Sequence, residues 1–207
     1  MEAPNLGQGK KNAKIRRAWI VFLDESGISE RPPVRRTWAP RGRTPILQHP
    51  FNWKKLSICS AIVYRWDGDR CRLYFRVIAG SYNDEKLINF LRQLKRQLRS
   101  RKVILIWDGL PSHRSRRMTD YVNQQQGWLS IVRLPAYAPE MNPVEGLWAN
   151  ILGQELANRS VNDLGDMVEG VRHGFRRVHS AGRLLHSFLD HAGLFVGQNV
   201  TTLCETQ

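Results

Sequence analysis

Two short apolar runs constrain this chain more than anything else in it: AWIVFLDE at residues 18–25 and KVILIWD at residues 102–108. Each is too short for a core helix, is rich in β-branched and aromatic residues, and reads as a buried strand. Each also runs into an acid, Asp24 in the first and Asp108 in the second. If the two strands lie side by side and parallel, their C-terminal ends bring Asp24 and Asp108 together.

The segments around them complete an α/β pattern. SGISERPPVRRTWAPRGRTPIL, residues 26–47, holds four prolines, two glycines and five arginines, and predicts a long, basic, irregular excursion or loose hairpin. Loops of that length are usually functional. Strands follow at 55–66 and 72–80, joined by DGDR as a hairpin with Asp67 and Asp69 as turn residues. NDEKLINFLRQLKRQLRS predicts a helix, capped by Asn83, with Leu87, Phe90, Leu91, Leu94 and Leu98 on one face and Arg92, Lys95, Arg96 and Arg99 on the other. A helix around 112–126, a fifth strand at 128–135, a helix through about 158, one at 162–179 and a short terminal helix finish the chain. The expected organisation is a flexible basic arm at 1–17, a domain at 18–158 with a basic insertion at 26–54, and a helical tail at 159–207 packed on that domain.

Charge bounds the partners. With 32 basic and 18 acidic residues the chain carries +14, which favours a polyanion, and nucleic acid leads. The basic residues are spread over several elements, so no amphipathic membrane anchor stands out. No uncharged apolar run approaches the length of a membrane span, and the start lacks the apolar segment of a secretory signal. Cys59, Cys71 and Cys204 lie far apart with no CxxC pair, which supports neither a zinc site nor a disulfide framework. The expected location is the cytoplasm, in association with the nucleoid.

A third acid stands in LPAYAPEMNPVEGLW, residues 134–148. One local reading makes it a helix start: Asn142 caps, Pro143 takes the first helical position, and Glu145 reaches back to the Asn142 amide as a capping box. The other makes Glu145 the partner of Asp24 and Asp108. Three carboxylates in one place repel and raise each other's pKa, and are tolerated mainly when divalent cations neutralise them. Hard oxygen ligands of this kind suit magnesium or manganese. Among the other acids, Glu25 should point to the opposite strand face from Asp24, Asp84 and Glu85 suit a helix N-terminus, and nothing in the position of Glu140 demands a role. His113, five residues after Asp108, reads as a structural residue at a helix start, with a phosphate contact as the alternative. No GxSxG occurs, and no serine or cysteine has a recognisable base nearby.

The blocks LDESG, then WDG followed by PSH, then LPAYAPEMNPVEGLW resemble the catalytic blocks of DDE transposases of the mariner-like superfamily, and most of all its bacterial insertion sequence 630 branch. The 37-residue separation of Asp108 from Glu145 fits that branch, and RTWAPRG matches its region between strands one and two. The similarity spans about residues 20–148 and is weaker in the helical tail. It implies a ribonuclease H-like fold, a mixed five-stranded sheet of three antiparallel and two parallel strands flanked by helices. It also implies that Asp24, Asp108 and Glu145 are catalytic and hold two Mg2+ or Mn2+ ions for DNA cleavage and strand transfer at insertion-sequence ends. Many relatives carry Asn after the second aspartate, where this chain has Gly109, so a contact near the site is expected to be missing.

Relatives also carry an N-terminal helix-turn-helix region that reads the element's terminal inverted repeats, and the first catalytic strand here begins by residue 18. The expected partners are therefore terminal-repeat and target DNA, with either a homodimer or fusion to an upstream helix-turn-helix frame. Arg35, Arg36, Arg41, Arg43, Arg114, Arg116 and Arg117 are the expected phosphate contacts. Trp38 is read as stacking on a base, packing on a partner subunit, or buried. The competing function is a non-catalytic DNA-binding remnant that inhibits intact transposase, with a host nuclease on the same fold as a third.

Overall fold

Side chains alternate across a strand, and in the first strand both alternating sets are apolar, so both sheet faces have to be covered. The computed structural model describes residues 13–29, 33–46, 55–135, 138–159 and 163–197. Its strands are β1 (Trp19–Ser29), β2 (Lys55–Tyr64), β3 (Cys71–Ala79), β4 (Val103–Trp107) and β5 (Leu129–Arg133). Its helices are α1 (Asp84–Gln97), α2 (Arg116–Gln124), α3 (Pro143–Ile151), α4 (Leu164–Ser180) and α5 (Gly182–His191). The sheet order is β3-β2-β1-β4-β5, with β1–β2 and β2–β3 antiparallel and β1–β4 and β4–β5 parallel. This is the expected mixed sheet of three antiparallel and two parallel strands.

Ile20 and Phe22 of β1 and Ile104 and Ile106 of β4 face one layer, built from α3, α4 and α5 through Leu147, Trp148, Val171, Phe175 and Leu189. Trp19, Val21 and Leu23 of β1, with Val103, Leu105 and Trp107 of β4, face α1 and α2 through Leu87, Leu91, Leu94, Met118 and Tyr121. The parity continues past the apolar run. Asp24 falls on the α3 side and Glu25 on the α1 and α2 side.

Local chemistry explains the boundaries. The Asn83 side chain caps α1 by accepting from the Lys86 amide, with Asp84 and Glu85 in the first turn and Lys95 and Arg96 in the last, all favourable to the helix dipole. Asp67 Oδ1 accepts from the Asp69 amide at 3.2 Å, and Gly68 takes φ +78°, so both aspartates are turn residues as expected.

Several expectations shift. β1 runs to Ser29 rather than ending at Glu25, because residues 25–29 keep pairing with β2 down to Lys55. Asp24 therefore sits within a strand, not at its end. The helix expected over 112–126 is a 3-10 turn, Pro111–Arg114, followed by α2, which Ser115 caps by accepting from the Met118 amide at 3.1 Å. α3 gives way to a π-helical turn, Leu152–Leu156, instead of continuing to about 158. Residues 13–16 form a helical turn, with Ala13 fully buried and its carbonyl accepting from the Ala18 amide at 2.9 Å. That end of the expected flexible arm is thus packed on the domain, while residues 1–12 lie outside the described residues. Residues 33–46 of the insertion are irregular and largely exposed. Among the described residues no helix is long and apolar enough to cross a membrane.

Candidate active site

The parallel register of β1 with β4 runs from Trp19↔Val103 to Phe22↔Ile106. Carried on by two residues, the same offset puts Asp24 opposite Asp108. After β5, Leu134, Pro135, Ala138 and Pro139 lie against the same ends, and the 3-10 turn Pro139–Met141 leads into α3. The result is a cleft of about 800 Å³ lined by Asp24, Asp108 and Glu145, with Arg114 and Arg133 among its walls. The structure thus brings the three acids expected from the sequence into one place.

Glu145 is not the capping residue that its spacing suggested. Asn142 does cap α3, accepting from the Val144 amide at 3.2 Å with Pro143 at the first helical position. The Asn142 amide, however, donates to the Pro139 carbonyl at 2.9 Å, because a 3-10 turn precedes the helix. The donor that a capping box needs is already used. Burial first, and the Asp108 charge second, push the Glu145 carboxyl above its ordinary pKa.

Asp24 is 8% exposed, and Trp148 Nε1 donates to its Oδ2 at 3.0 Å. Burial raises its pKa to about 7; the Trp148 bond opposes that shift, and the nearby Glu145, Glu25 and Asp108 charges add to it. Asp108 goes the other way. Burial pulls it upward, but hydrogen bonds from His113 and the Leu110 amide and the positive charges of His113 and Arg114 outweigh burial and hold it below the ordinary carboxylate range.

His113 is buried, with Nδ1 2.8 Å from Asp108 Oδ1 and Nε2 3.1 Å from Glu25 Oε2. Its ring stacks on Trp107 at 4.1 Å. Burial lowers its pKa, but the bonds to Asp108 and Glu25 prevail and lift it to about 9, which makes it an imidazolium at neutral pH. Trp148, Glu25 and Arg133 were not expected at the site. Trp148 was within reach of sequence reasoning, since it follows Glu145 by one helical turn on the same face. The contact of Glu25 with a histidine 88 residues away carries no local signal.

The expected DNA contacts divide. Arg114 lines the cleft; Arg116 and Arg117 are exposed on α2, where Arg117 lies 3.4 Å from Glu85. Arg36, Arg41 and Arg43 are exposed in the insertion. Arg35 is engaged elsewhere: its amide donates to Asn158 Oδ1 at 2.9 Å, its carbonyl accepts from Asn158 Nδ2 at 2.8 Å, and its guanidinium donates to the Ala149 carbonyl at 3.3 Å. Trp38 is 99% exposed, so the buried role considered for it is not realised.

Asp24, Asp108 and Glu145 line one cleft, but among the described residues no three His, Cys, Asp or Glu side chains lie close enough to form a ready-made cation cage. The donor set nevertheless fits a hard divalent cation. Only one oxygen each of Asp24 and Asp108 is taken by a hydrogen bond among the described residues. The Asp24 and Glu145 carboxyls are raised first by burial and then by neighbouring carboxylates, and a cation would relieve that mutual repulsion. Ser60, paired with Asp24 across β2, is fully buried with its hydroxyl unpartnered among the described residues.

Comparison with known proteins agrees with this geometry. The profile of the DDE superfamily endonucleases matches residues 19–168. The insertion element IS630 uncharacterized 39 kDa protein of Shigella sonnei is 24% identical over 160 residues, covering 77% of this chain and 45% of that protein. This chain therefore spans less than half the length of that curated relative. Among solved structures, the Mos1 mariner paired end complex with Mn has a TM-score of 0.64 at 20% identity, covering 90% of this chain and 58% of that one. The Mos1 strand transfer complex has a TM-score of 0.65 at 19% identity, covering 91% and 56%. The catalytic domain of Mos1 mariner transposase has a TM-score of 0.51 at 17% identity, covering 92% and 89%. The shared fold is the ribonuclease H-like one. Because the profile runs from the first residue of β1 to beyond the helix of the third acid, this chain belongs to the DDE superfamily endonucleases.

Proposed function

We propose that this chain is the catalytic part of an insertion-sequence transposase, cutting DNA at element ends and joining the ends to target DNA. The observation that carries the proposal is the convergence of Asp24, Asp108 and Glu145, from β1, the end of β4 and the start of α3, on one cleft. These acids are the residues that would hold two Mg2+ or Mn2+ ions. Bound there, the ions supply Lewis-acid activation of an attacking hydroxyl and charge stabilisation of the leaving oxygen in a displacement at phosphorus.

The chain's own groups set that chemistry up. Asp108 is kept ionised by the His113 imidazolium and the Leu110 amide. Asp24 is oriented by the buried Trp148 indole. Arg114 and Arg133, in the cleft wall, neutralise phosphates on either side of the scissile bond. Arg36, Arg41 and Arg43 in the insertion, with Arg116 and Arg117 on α2, extend that phosphate contact beyond the cleft. Recognition of terminal repeats, pairing of two subunits or fusion with an upstream helix-turn-helix frame, and action in the cytoplasm at the nucleoid belong to the same proposal.

The test is Mg2+- or Mn2+-dependent nicking of element-end DNA by the full chain and by Asp24→Asn, Asp108→Asn and Glu145→Gln. Each variant is expected to lose at least about a hundredfold in rate while thermal unfolding remains cooperative. Full cleavage by Glu145→Gln would return that residue to the helix start. Metal-independent binding with no nicking by any form would make the chain a DNA-binding remnant.

A further inference from the structure

We propose that Glu25 and His113 form a positioning relay that holds the Asp108 carboxylate in register with Asp24, making Glu25 a functional carboxylate of the opposite sheet face. The proposal rests on the metal-binding role of Asp108 given above. Its basis is geometric. His113 places Nδ1 2.8 Å from Asp108 Oδ1 and Nε2 3.1 Å from Glu25 Oε2, so each ring nitrogen faces a carboxylate oxygen and both act as donors. An imidazole that donates from both nitrogens carries a positive charge. With the His113 side chain only 1% exposed, that charge is buried and needs the carboxylates on both sides to be tolerated.

Three further contacts fix the ring. Trp107 stacks on it with an interplanar angle of 1°, the His113 amide donates to the Leu110 carbonyl at 3.0 Å, and the Leu110 amide donates to Asp108 Oδ1 at 3.1 Å. The loop from Asp108 to His113 is thus a closed bracket, and Glu25 is its attachment to β1. Glu25 is the chain neighbour of Asp24. A displacement of Asp108 relative to Asp24 therefore has to break either the bond from His113 to Glu25 or the one to Asp108.

Among the described residues no other cation explains a largely covered carboxylate at this position. The Glu25 side chain is 11% exposed, and its other neighbour is Cys59, whose thiol lies 3.9 Å from Oε1. In a covered layer of leucines and aromatics a carboxylate without a paired cation is costly, so its presence there points to His113.

The test is Mn2+ binding by the DNA-free full chain, read as free Mn2+ by electron paramagnetic resonance, together with the Mg2+ dependence of nicking. The forms compared are wild type, Asp108→Asn, Glu25→Gln, His113→Ala, His113→Asn and the Glu25→Gln/His113→Ala pair. Glu25→Gln and His113→Ala are each expected to weaken Mn2+ binding about tenfold and to raise the Mg2+ concentration for half-maximal nicking, with little change in rate at saturating metal. The double variant should be no weaker than the worse single one, since both break one chain of bonds. His113→Asn, which retains an N–H donor where Nδ1 stands, should recover part of the loss at unchanged thermal stability. Additive effects, or no recovery in His113→Asn, would overturn the relay. If Asp108→Asn itself leaves Mn2+ binding unchanged, the metal role of that residue fails and the relay with it. If Asp108→Asn weakens binding while Glu25→Gln and His113→Ala do not, the relay alone fails.

Discussion

Trp148 Nε1 donates to Asp24 Oδ2 at 3.0 Å, a bond that ties the helix of the third acid to the strand of the first. The indole is also edge-on to Phe175 at 6.2 Å, so its ring plane is set by α4 as well as by the carboxylate. The bond lowers a carboxyl that burial has raised to about 7. Trp148→Phe keeps an aromatic ring against Phe175 and removes the donor. Without it the Asp24 pKa rises further, and protons compete with metal over a wider range. Apparent Mn2+ affinity of the wild type should fall as pH drops below about 7, and in Trp148→Phe the same fall should begin at higher pH. Mn2+ titrations across pH 6 to 9 check this, and superimposable profiles would sink the idea.

Asp24 also predicts a stability cost of the site. Its folded pKa, about 7, lies above the reference 3.8, so the folded state prefers the proton. Below about pH 4 both folded and unfolded chains hold that proton and nothing is lost; stability falls as pH rises from there, and the loss is complete once pH passes 7 and the buried carboxyl ionises. Asp24→Asn removes the penalty and still accepts from Trp148. In EDTA at pH 8 it should be more stable than wild type by on the order of 1–4 kcal/mol, with the gap closing near pH 4. Saturating Mg2+ should shrink the gap by stabilising wild type alone. Urea unfolding at the two pH values measures both effects, and an Asp24→Asn chain less stable at pH 8 in EDTA would refute the account.

Much of this was legible from residues 18–25 and 102–108 because a parallel pair of apolar strands has little freedom. Once both are buried, period-two alternation fixes which face each acid takes, and Asp24 meeting Asp108 follows from register. The third acid was legible as one of two readings, and what separated them was the Asn142 amide. That amide binds Pro139 because the residues before the helix fold into a 3-10 turn, a choice between two local hydrogen bonds that the capping pattern does not decide. As a lone histidine at a helix start, His113 reads as structural; its partners are Glu25 and the Asp108 loop, and contacts over 88 residues leave no periodic trace. The extension of β1 to Ser29 was missed for a different reason. SGIS has low strand propensity, and its pairing with β2 supplies the hydrogen bonds that propensity alone would not.

Among the described residues the insertion is tied to the rest of the domain at Asn158, besides the bond from the Arg35 guanidinium to the Ala149 carbonyl. Asn158 exchanges two hydrogen bonds with the Arg35 backbone, and its own amide donates to the Pro33 carbonyl at 3.1 Å. Asn158 sits at φ +55°, so glycine keeps the backbone there and removes both side-chain bonds. Asn158→Gly should let trypsin cut at Arg36, Arg41 and Arg43 several-fold faster, with cooperative unfolding shifted by no more than about 1 kcal/mol. Equal digestion rates for the two forms would show that Asn158 does not hold the segment.

The helical layer behind the cleft has a close approach that glycine makes possible. Glu155, in the π-helical turn after α3, has a side chain only 7% exposed and accepts from Arg177 Nε at 2.7 Å. A Cβ at Gly174 would stand 2.9 Å from Glu155 Oε2 and 3.0 Å from Ile151 Cγ2. Alanine ordinarily stabilises a helix interior by about 1 kcal/mol over glycine. At Gly174 that gain is opposed by overpacking against a core isoleucine and by displacement of a buried carboxylate from its arginine. Gly174→Ala should therefore lose on the order of 1–3 kcal/mol. Gly182, at the start of α5, has nothing within 4 Å of an added Cβ, so Gly182→Ala should gain a few tenths of a kcal/mol to about 1. Opposite shifts in thermal midpoint are expected for the same chemical change in adjacent helices, and a Gly174→Ala chain as stable as wild type would mean that the α4 contact relaxes without cost.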